Sequence, residues 1–81
     1  MTRVALYFAQ DCSLCGPVHE LLARLRPELG FELDEVDVTG VRELEARYRE
    51  WLPVVEIDGA RAFVYRVDED ELRARVAGSR P

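Results

Sequence analysis

Residues 4–9, VALYFA, form an unbroken apolar run rich in strand formers, the pattern of a short strand buried on both faces. The run ends at Gln10 and Asp11. Apolar positions then fall at Leu14, Val18, Leu21, Leu22 and Leu25, the spacing of one helical face, and Pro27 with Gly30 are expected to stop that helix. Pro17 lacks an N–H in the early helix and predicts a kink there. FELDEVDV at 31–38 alternates apolar and acidic residues, as a second strand with one wetter face near a sheet edge would. After Thr39 and Gly40 a second helix is expected, with Val41, Leu44 and Tyr48 on one side and the i,i+4 pairs Glu43–Arg47 and Glu45–Arg49 on the solvated side. PVVEIDGARAFVY at 53–65 reads as two strands around Asp58-Gly59, the signal for a tight hairpin turn with positive φ. Asp68, with Glu71 three residues later, forms a capping box ahead of a last helix packed through Leu72 and Val76.

The order is therefore strand, helix, strand, helix, hairpin, helix. A βαβ unit needs parallel strands with a right-handed crossover, and the hairpin is antiparallel, so an α/β fold follows, with a four-stranded mixed sheet flanked by helices on both faces. At 81 residues one small domain is expected over residues 1–78, with 79–81 as a frayed tail. No apolar run approaches the roughly 18 residues of a membrane helix, and the N-terminus lacks the apolar length and cleavage pattern of a secretory signal. A cytoplasmic protein is expected. The net charge of −5 argues against nucleic acid or an anionic membrane surface as partner, because both select basic patches. All eleven basic residues are Arg, so Schiff-base chemistry and P-loop phosphate binding lack the amine they need.

Chemistry concentrates in FAQDCSLCGP at 8–17, which holds both cysteines, Cys12 and Cys15. Three readings compete. A tetrahedral zinc site needs four ligands, and only Cys12, Cys15 and His19 lie within local reach, so a carboxylate or a partner would have to close it. A structural disulfide stabilises little across so short a loop and is disfavoured in a reducing cytosol. The third reading is a reactive dithiol, and position favours it: Cys12 falls at the expected N-cap end of a helix, where unsatisfied N–H groups and the helix dipole favour a thiolate. Cys12 would attack a substrate disulfide, and Cys15, facing the helix and less exposed, would resolve the mixed disulfide. Asp11 places a like charge beside the thiolate and opposes the helix effect. Ser13 is a candidate donor to sulfur or a helix cap. His19, one turn after Cys15, is a candidate proton acceptor or third metal ligand, against the plainer reading of a half-exposed helix residue. Trp51 is read as a core or helix-end residue, with a lip over the cysteines as the alternative.

VALYFA, the CSLC that follows, WLPVVEIDG at 51–59 and the terminal helix together resemble a glutaredoxin-like protein of the thioredoxin superfamily, over nearly the whole chain. The resemblance implies a thioredoxin-like fold, βαβαββα, and a small thiol–disulfide oxidoreductase. It also implies a cis bond before Pro53, which would lie beside the cysteines and free the Leu52 backbone to pair with an extended substrate. Pro53 opening an edge strand is the plainer alternative. Glutathione-using members carry a basic residue before the first cysteine, Thr-Val before the proline and Gly-Gly-x-Asp before the last helix. This chain has Gln10-Asp11, Trp51-Leu52 and YRVDEDE at 65–71 in those places. Leu52 backbone, Asp68 or Asp70, and Arg66 remain as groups for a glutathione. The expected partners are protein or low-molecular-weight disulfides, with glutathione as candidate co-substrate or a thioredoxin-reductase-type protein as reductant. No tightly bound cofactor and no metal are expected. The alternatives are a metal or iron–sulfur module on Cys12 and Cys15, or a redox-inactive interaction domain of the same fold.

Overall fold

The first strand, β1 (Arg3–Phe8), runs through the middle of a four-stranded sheet of order β2-β1-β3-β4 in the computed structural model, which describes residues 2–78. The frayed tail expected at 79–81 lies outside the described residues. Helix α1 (Cys15–Leu29) crosses from β1 to β2 (Glu32–Asp37), which pairs with β1 in parallel, Arg3 opposite Glu32 and Phe8 opposite Asp37. Helix α2 (Arg42–Tyr48) and a 3-10 turn at Arg49–Trp51 lead to β3 (Val54–Ile57), antiparallel to β1 with Tyr7 opposite Val54. The hairpin closes with β4 (Ala60–Val64), and α3 (Glu69–Gly78) completes the βαβαββα order. This is the thioredoxin-like α/β fold with a mixed sheet.

Alternation along β1 divides the core in two. Val4 and Leu6 point to a layer filled by Val18, Leu22 and Leu25 of α1 and by Leu72 and Val76 of α3. Tyr7 points the other way and stacks on Tyr48 of α2, ring centroids 4.0 Å apart. Helices thus cover both faces, and β1 itself alternates buried with half-buried residues rather than being buried on both sides. Burial, with hydrogen bonding to Tyr7, pushes the Tyr48 phenol up to about 12, so it stays protonated and donates to Glu56 Oε2 at 3.2 Å.

Local chemistry sets most element ends. Asp58 and Gly59 both take positive φ, 50° and 84°, the turn whose twist matches that of the strands. Asp68 Oδ1 accepts the Glu71 N–H at 2.9 Å, forming half of the expected capping box, while the Glu71 carboxylate turns to Arg75. Gly30, at φ 75°, ends α1 with its N–H on the Arg26 carbonyl at 2.8 Å. Pro27 does not stop the helix but lies inside it. It removes one bond, to the Ala23 carbonyl, and both residues are exposed, so the freed carbonyl is open to solvent while Leu29 keeps packing on the core. Pro17, the third residue of α1, has no reason to kink it, because an N–H there has no partner inside the helix in any case. Val41 stands ahead of α2 and is exposed, so only Leu44 and Tyr48 of the expected trio pack inward. Of the two i,i+4 pairs, Glu45–Arg49 forms, whereas Arg47 lies over the Tyr48 ring.

Leu22 is fully buried between α1 and the sheet, and Leu22→Ala is expected to lower the unfolding free energy by about 2–5 kcal/mol, read as a lower urea midpoint at unchanged slope. Gly59→Ala has open space around the new Cβ, so it is expected to cost only about 1 kcal/mol, all of it from the backbone.

Candidate active site

β1 ends at Phe8, and the loop that follows is tied down at each step. The Gln10 N–H donates to Thr39 Oγ1 at 3.1 Å and its side-chain amide to Asp37 Oδ2 at 2.9 Å, fastening the loop to the end of β2. The Thr39 hydroxyl and N–H, with the Gln10 side-chain amide, hold the Asp37 carboxyl below the usual carboxylate range. The Cys12 N–H returns to the Ala9 carbonyl at 3.2 Å, and the Cys15 N–H to the Cys12 carbonyl at 3.3 Å. Two successive turns therefore carry the sulfurs together, joined as a disulfide with Cα atoms 5.5 Å apart.

Helix α1 starts at Cys15, with Leu14 in the N-cap position. Cys12 is thus one turn ahead of the helix rather than its cap, because the two loop turns occupy residues 9–14. No side chain caps α1, so Ser13 does not serve as the cap that its residue type allows. The uncapped first turn keeps its positive end toward the dithiol. Leu14 is 47% exposed and does not extend the apolar face of α1. Cys15 is 4% exposed and packs with Ala9, Tyr48, Leu52 and Val54, whereas Cys12 is half-buried at the margin of that cluster. The pair is asymmetric in the sense expected, with Cys12 reachable and Cys15 covered.

The charge beside Cys12 is not the bare carboxylate that the local sequence suggests. Arg49, just past α2, donates from its guanidinium to Asp11 Oδ1 at 2.7 Å and also grips Glu45. Arg49 holds the Asp11 carboxyl below its ordinary value, so the pair is present above the usual carboxylate range and lost only as pH falls through the lowered value. Near neutrality Asp11 and Arg49 form a compensated pair.

The Leu52-Pro53 bond is cis, and both residues are buried. The Pro53 carbonyl accepts the Tyr65 N–H at 2.9 Å, and the Tyr65 hydroxyl donates to the Glu50 carbonyl at 2.8 Å. Leu52 shares its buried cluster with Cys15, so the structure brings the proline turn to the dithiol. Trp51 is the helix-end residue of the expected pair of readings rather than a core one: it closes the 3-10 turn at Arg49–Trp51 and is 41% exposed, with its ring 6.2 Å from that of Tyr65. Asp68 is spent on capping α3, while Arg66 lines a groove with Leu14, Pro17 and Tyr65. On the other flank, Cys12, Cys15, His19 and Glu35 line a pocket of about 410 Å³, in which His19 Nε2 meets the Glu35 carboxylate. Among the described residues no group of three or more His, Cys, Asp and Glu is arranged to hold a metal ion, and no helix is long and apolar enough to cross a membrane.

Two contributors escaped the sequence reading. Arg49 is 38 residues from Asp11, and its only local signal, the spacing from Glu45, pointed to an outer helix face. Glu35 did leave a trace: Phe31 and Leu33 pack on the α1 side of the sheet and Val38 on the other, so the phase shifts within the strand and places an acid on the α1 face.

Fold and site together define a thioredoxin-fold protein with a Cys-x-x-C pair. Residues 3–77 match the glutaredoxin-like domain family (DUF836), and the chain belongs to that family. An uncharacterized protein of Mycobacterium tuberculosis is 40% identical over 82 residues, a span covering 95% of this chain and 84% of that protein. An uncharacterized Mycobacterium bovis protein is similar to the same degree. Among solved structures, that of the structural-genomics target XcR50 from X. campestris is similar with a TM-score of 0.75 at 27% identity, covering 95% of this chain and 99% of that one. A thioredoxin from Fasciola hepatica is similar with a TM-score of 0.67 at 26% identity, covering 98% and 81%.

Removing the guanidinium by Arg49→Gln leaves Asp11 uncompensated next to Cys12. The pH midpoint of Cys12 alkylation in the reduced protein is expected to rise by about half a unit, the scale of one surface charge a few ångströms away in high dielectric. Adding Asp11→Asn to that variant should return the midpoint to the wild-type value.

Proposed function

We propose that this protein is a thiol–disulfide oxidoreductase that reduces disulfides, with Cys12 as nucleophile and Cys15 as resolving thiol. The observation that carries the reading is the asymmetry of the pair: two sulfurs close enough to bond, one reachable and the other 4% exposed. The Cys12 thiolate attacks one sulfur of the substrate disulfide and expels the other as thiolate. Cys15 then attacks the Cys12 sulfur, freeing the second substrate thiolate and leaving the Cys12–Cys15 disulfide. The substrate gains two electrons and the dithiol loses them. Return to the dithiol takes an external thiol or a reductase, and a reducing compartment such as the cytoplasm suits that direction of flow.

The surroundings favour protein or peptide disulfides over glutathione disulfide. Leu14, Trp51 and Tyr65 are large, apolar and more than 40% exposed, and each belongs to a segment that frames the dithiol. Such a rim suits the apolar flank of a peptide better than a small charged thiol. The groups available to a glutathione are fewer than the residue types suggest, since Asp68 is occupied by the α3 cap. The Leu52 backbone and the cis-Pro53 turn are assigned to shaping the substrate groove.

Cys12→Ser is expected to abolish disulfide reduction, and Cys15→Ser to accumulate mixed disulfides with substrate, visible as mass adducts. If both variants turn over a protein disulfide at the wild-type rate, the reading fails. Trp51→Ala is expected to raise KM for a peptide disulfide with apolar flanks several-fold while leaving KM for glutathione disulfide unchanged, as the loss of one aromatic contact implies.

A further inference from the structure

The resolving sulfur has a proton problem. Cys15 must become a thiolate to attack, yet it sits 4% exposed among Ala9, Tyr48, Leu52 and Val54, where charge is poorly solvated. Its way out is the pocket of about 410 Å³ beside the dithiol. Besides the two cysteines, the titratable side chains lining that pocket are His19 and Glu35.

His19 lies four residues after Cys15 on α1. Helical side chains lean toward the helix N-terminus, so the imidazole is carried back over the turn that holds Cys15. Its Nε2 meets the Glu35 carboxylate, and Glu35 is fixed in β2 by pairing opposite Leu6 of β1. A neutral imidazole has one donor and one acceptor nitrogen, so Nε2–H engaged on Glu35 leaves the Nδ1 lone pair as acceptor. Thiol, imidazole and orienting carboxylate on one pocket reproduce the arrangement by which a weak nucleophile is activated.

We propose that His19, oriented by Glu35, takes the proton from Cys15 in the resolving step. This rests on the oxidoreductase reading above and adds a catalytic base to it, with Glu35 as a positioning residue. In the step, His19 accepts the Cys15 proton while the Cys15 sulfur attacks the Cys12 sulfur of the mixed disulfide. The Cys12–substrate S–S bond breaks, the Cys12–Cys15 bond forms, and the substrate leaves as thiolate, protonated by imidazolium or by water. His19 is half-exposed, so a retained proton passes to solvent and the base is restored. The groups facing His19 are Cys12 from the loop, Cys15 from its own helix and Glu35 from β2; Asp11 and Asp37 are held by Arg49 and by Thr39 with Gln10.

The test uses the full chain with Cys12 loaded as its mixed disulfide with thionitrobenzoate, following release of the coloured thiolate by stopped flow across pH. Wild type is expected to release it at a rate that rises as one imidazole becomes neutral and then levels off. His19→Gln is expected to be slower near neutrality by about a hundredfold, the scale of a positioned base, and to keep climbing with hydroxide. Glu35→Gln is expected to give a smaller drop, and added imidazole to restore release in His19→Ala. The proposal is overturned if His19→Gln releases within twofold of wild type with the same pH profile, or if imidazole fails to rescue while circular dichroism shows an intact fold. A Cys15→Ser variant separates the two ideas: release at the wild-type rate from that protein would sink the dithiol mechanism itself, and the relay with it.

Discussion

The site depends on the central position of β1. Parallel pairing with β2 sets Phe8 opposite Asp37, and antiparallel pairing with β3 sets Tyr7 opposite Val54. These two registers bring three chain segments to one end of the sheet: the cysteine loop leaving β1, the Asp37–Thr39 turn leaving β2, and the Leu52-Pro53 turn entering β3. None of the three is near another in sequence. A slip of one residue in either pairing would turn β1 side chains to the wrong face, setting Leu6 toward α2 and Tyr7 toward α1, so the two differently shaped core layers enforce the registers. The chemistry is thus secured by apolar packing some distance from any sulfur.

Charged residues make a different contribution. The chain is acidic and has eleven arginines and no lysine, and the ion pairs among its described residues lie at the surface, where solvent and salt leave each of them worth little in stability. Their effect is positional. Arg49 ties the end of α2 to the cysteine loop and cancels the field of Asp11 beside Cys12. Arg73 bridges Glu28 near the end of α1 and Glu69 at the start of α3, and Arg24 reaches Glu69 from the same side. The planar guanidinium, with its several donors, lets one residue join two elements.

What could be read from the sequence follows from the range of the physics involved. The Asp58-Gly59 turn, the Asp68 cap, the apolar face of α1 from Val18 onward and that of α3 arise from neighbours a few residues apart, and these appear where spacing placed them. The wetter strand at 31–38 is the sheet edge for the same reason: alternation registers which face meets solvent. The start of α1 was displaced because two turns after Ala9 consume the residues that helical spacing assigned to its first turn. Pro27 does not end the helix because the bond it removes is at an exposed position, and Gly30 closes the last turn on the Arg26 carbonyl. The pairs Asp11–Arg49 and His19–Glu35 could not be read from local spacing, since each joins residues that only the tertiary fold makes adjacent.

Tyr65 carries backbone strain next to the proline turn. It holds φ at 68°, a conformation natural to glycine and costly to a tyrosine by about 1–3 kcal/mol, and it stands where glutathione-using relatives would carry a glycine pair. The backbone holds this glycine-like shape through the Tyr65 N–H on the Pro53 carbonyl and the Arg66 N–H on the Val64 carbonyl at 2.7 Å. The hydroxyl, donating to the Glu50 carbonyl, fixes the ring alongside Trp51. A glycine would relieve the backbone but leave the groove between Leu14 and Arg66 without its aromatic wall. Retaining a strained residue for the sake of its side chain makes sense if that wall is used. Under the peptide-disulfide reading proposed above, a segment flanking the target cystine would supply apolar surface to meet it.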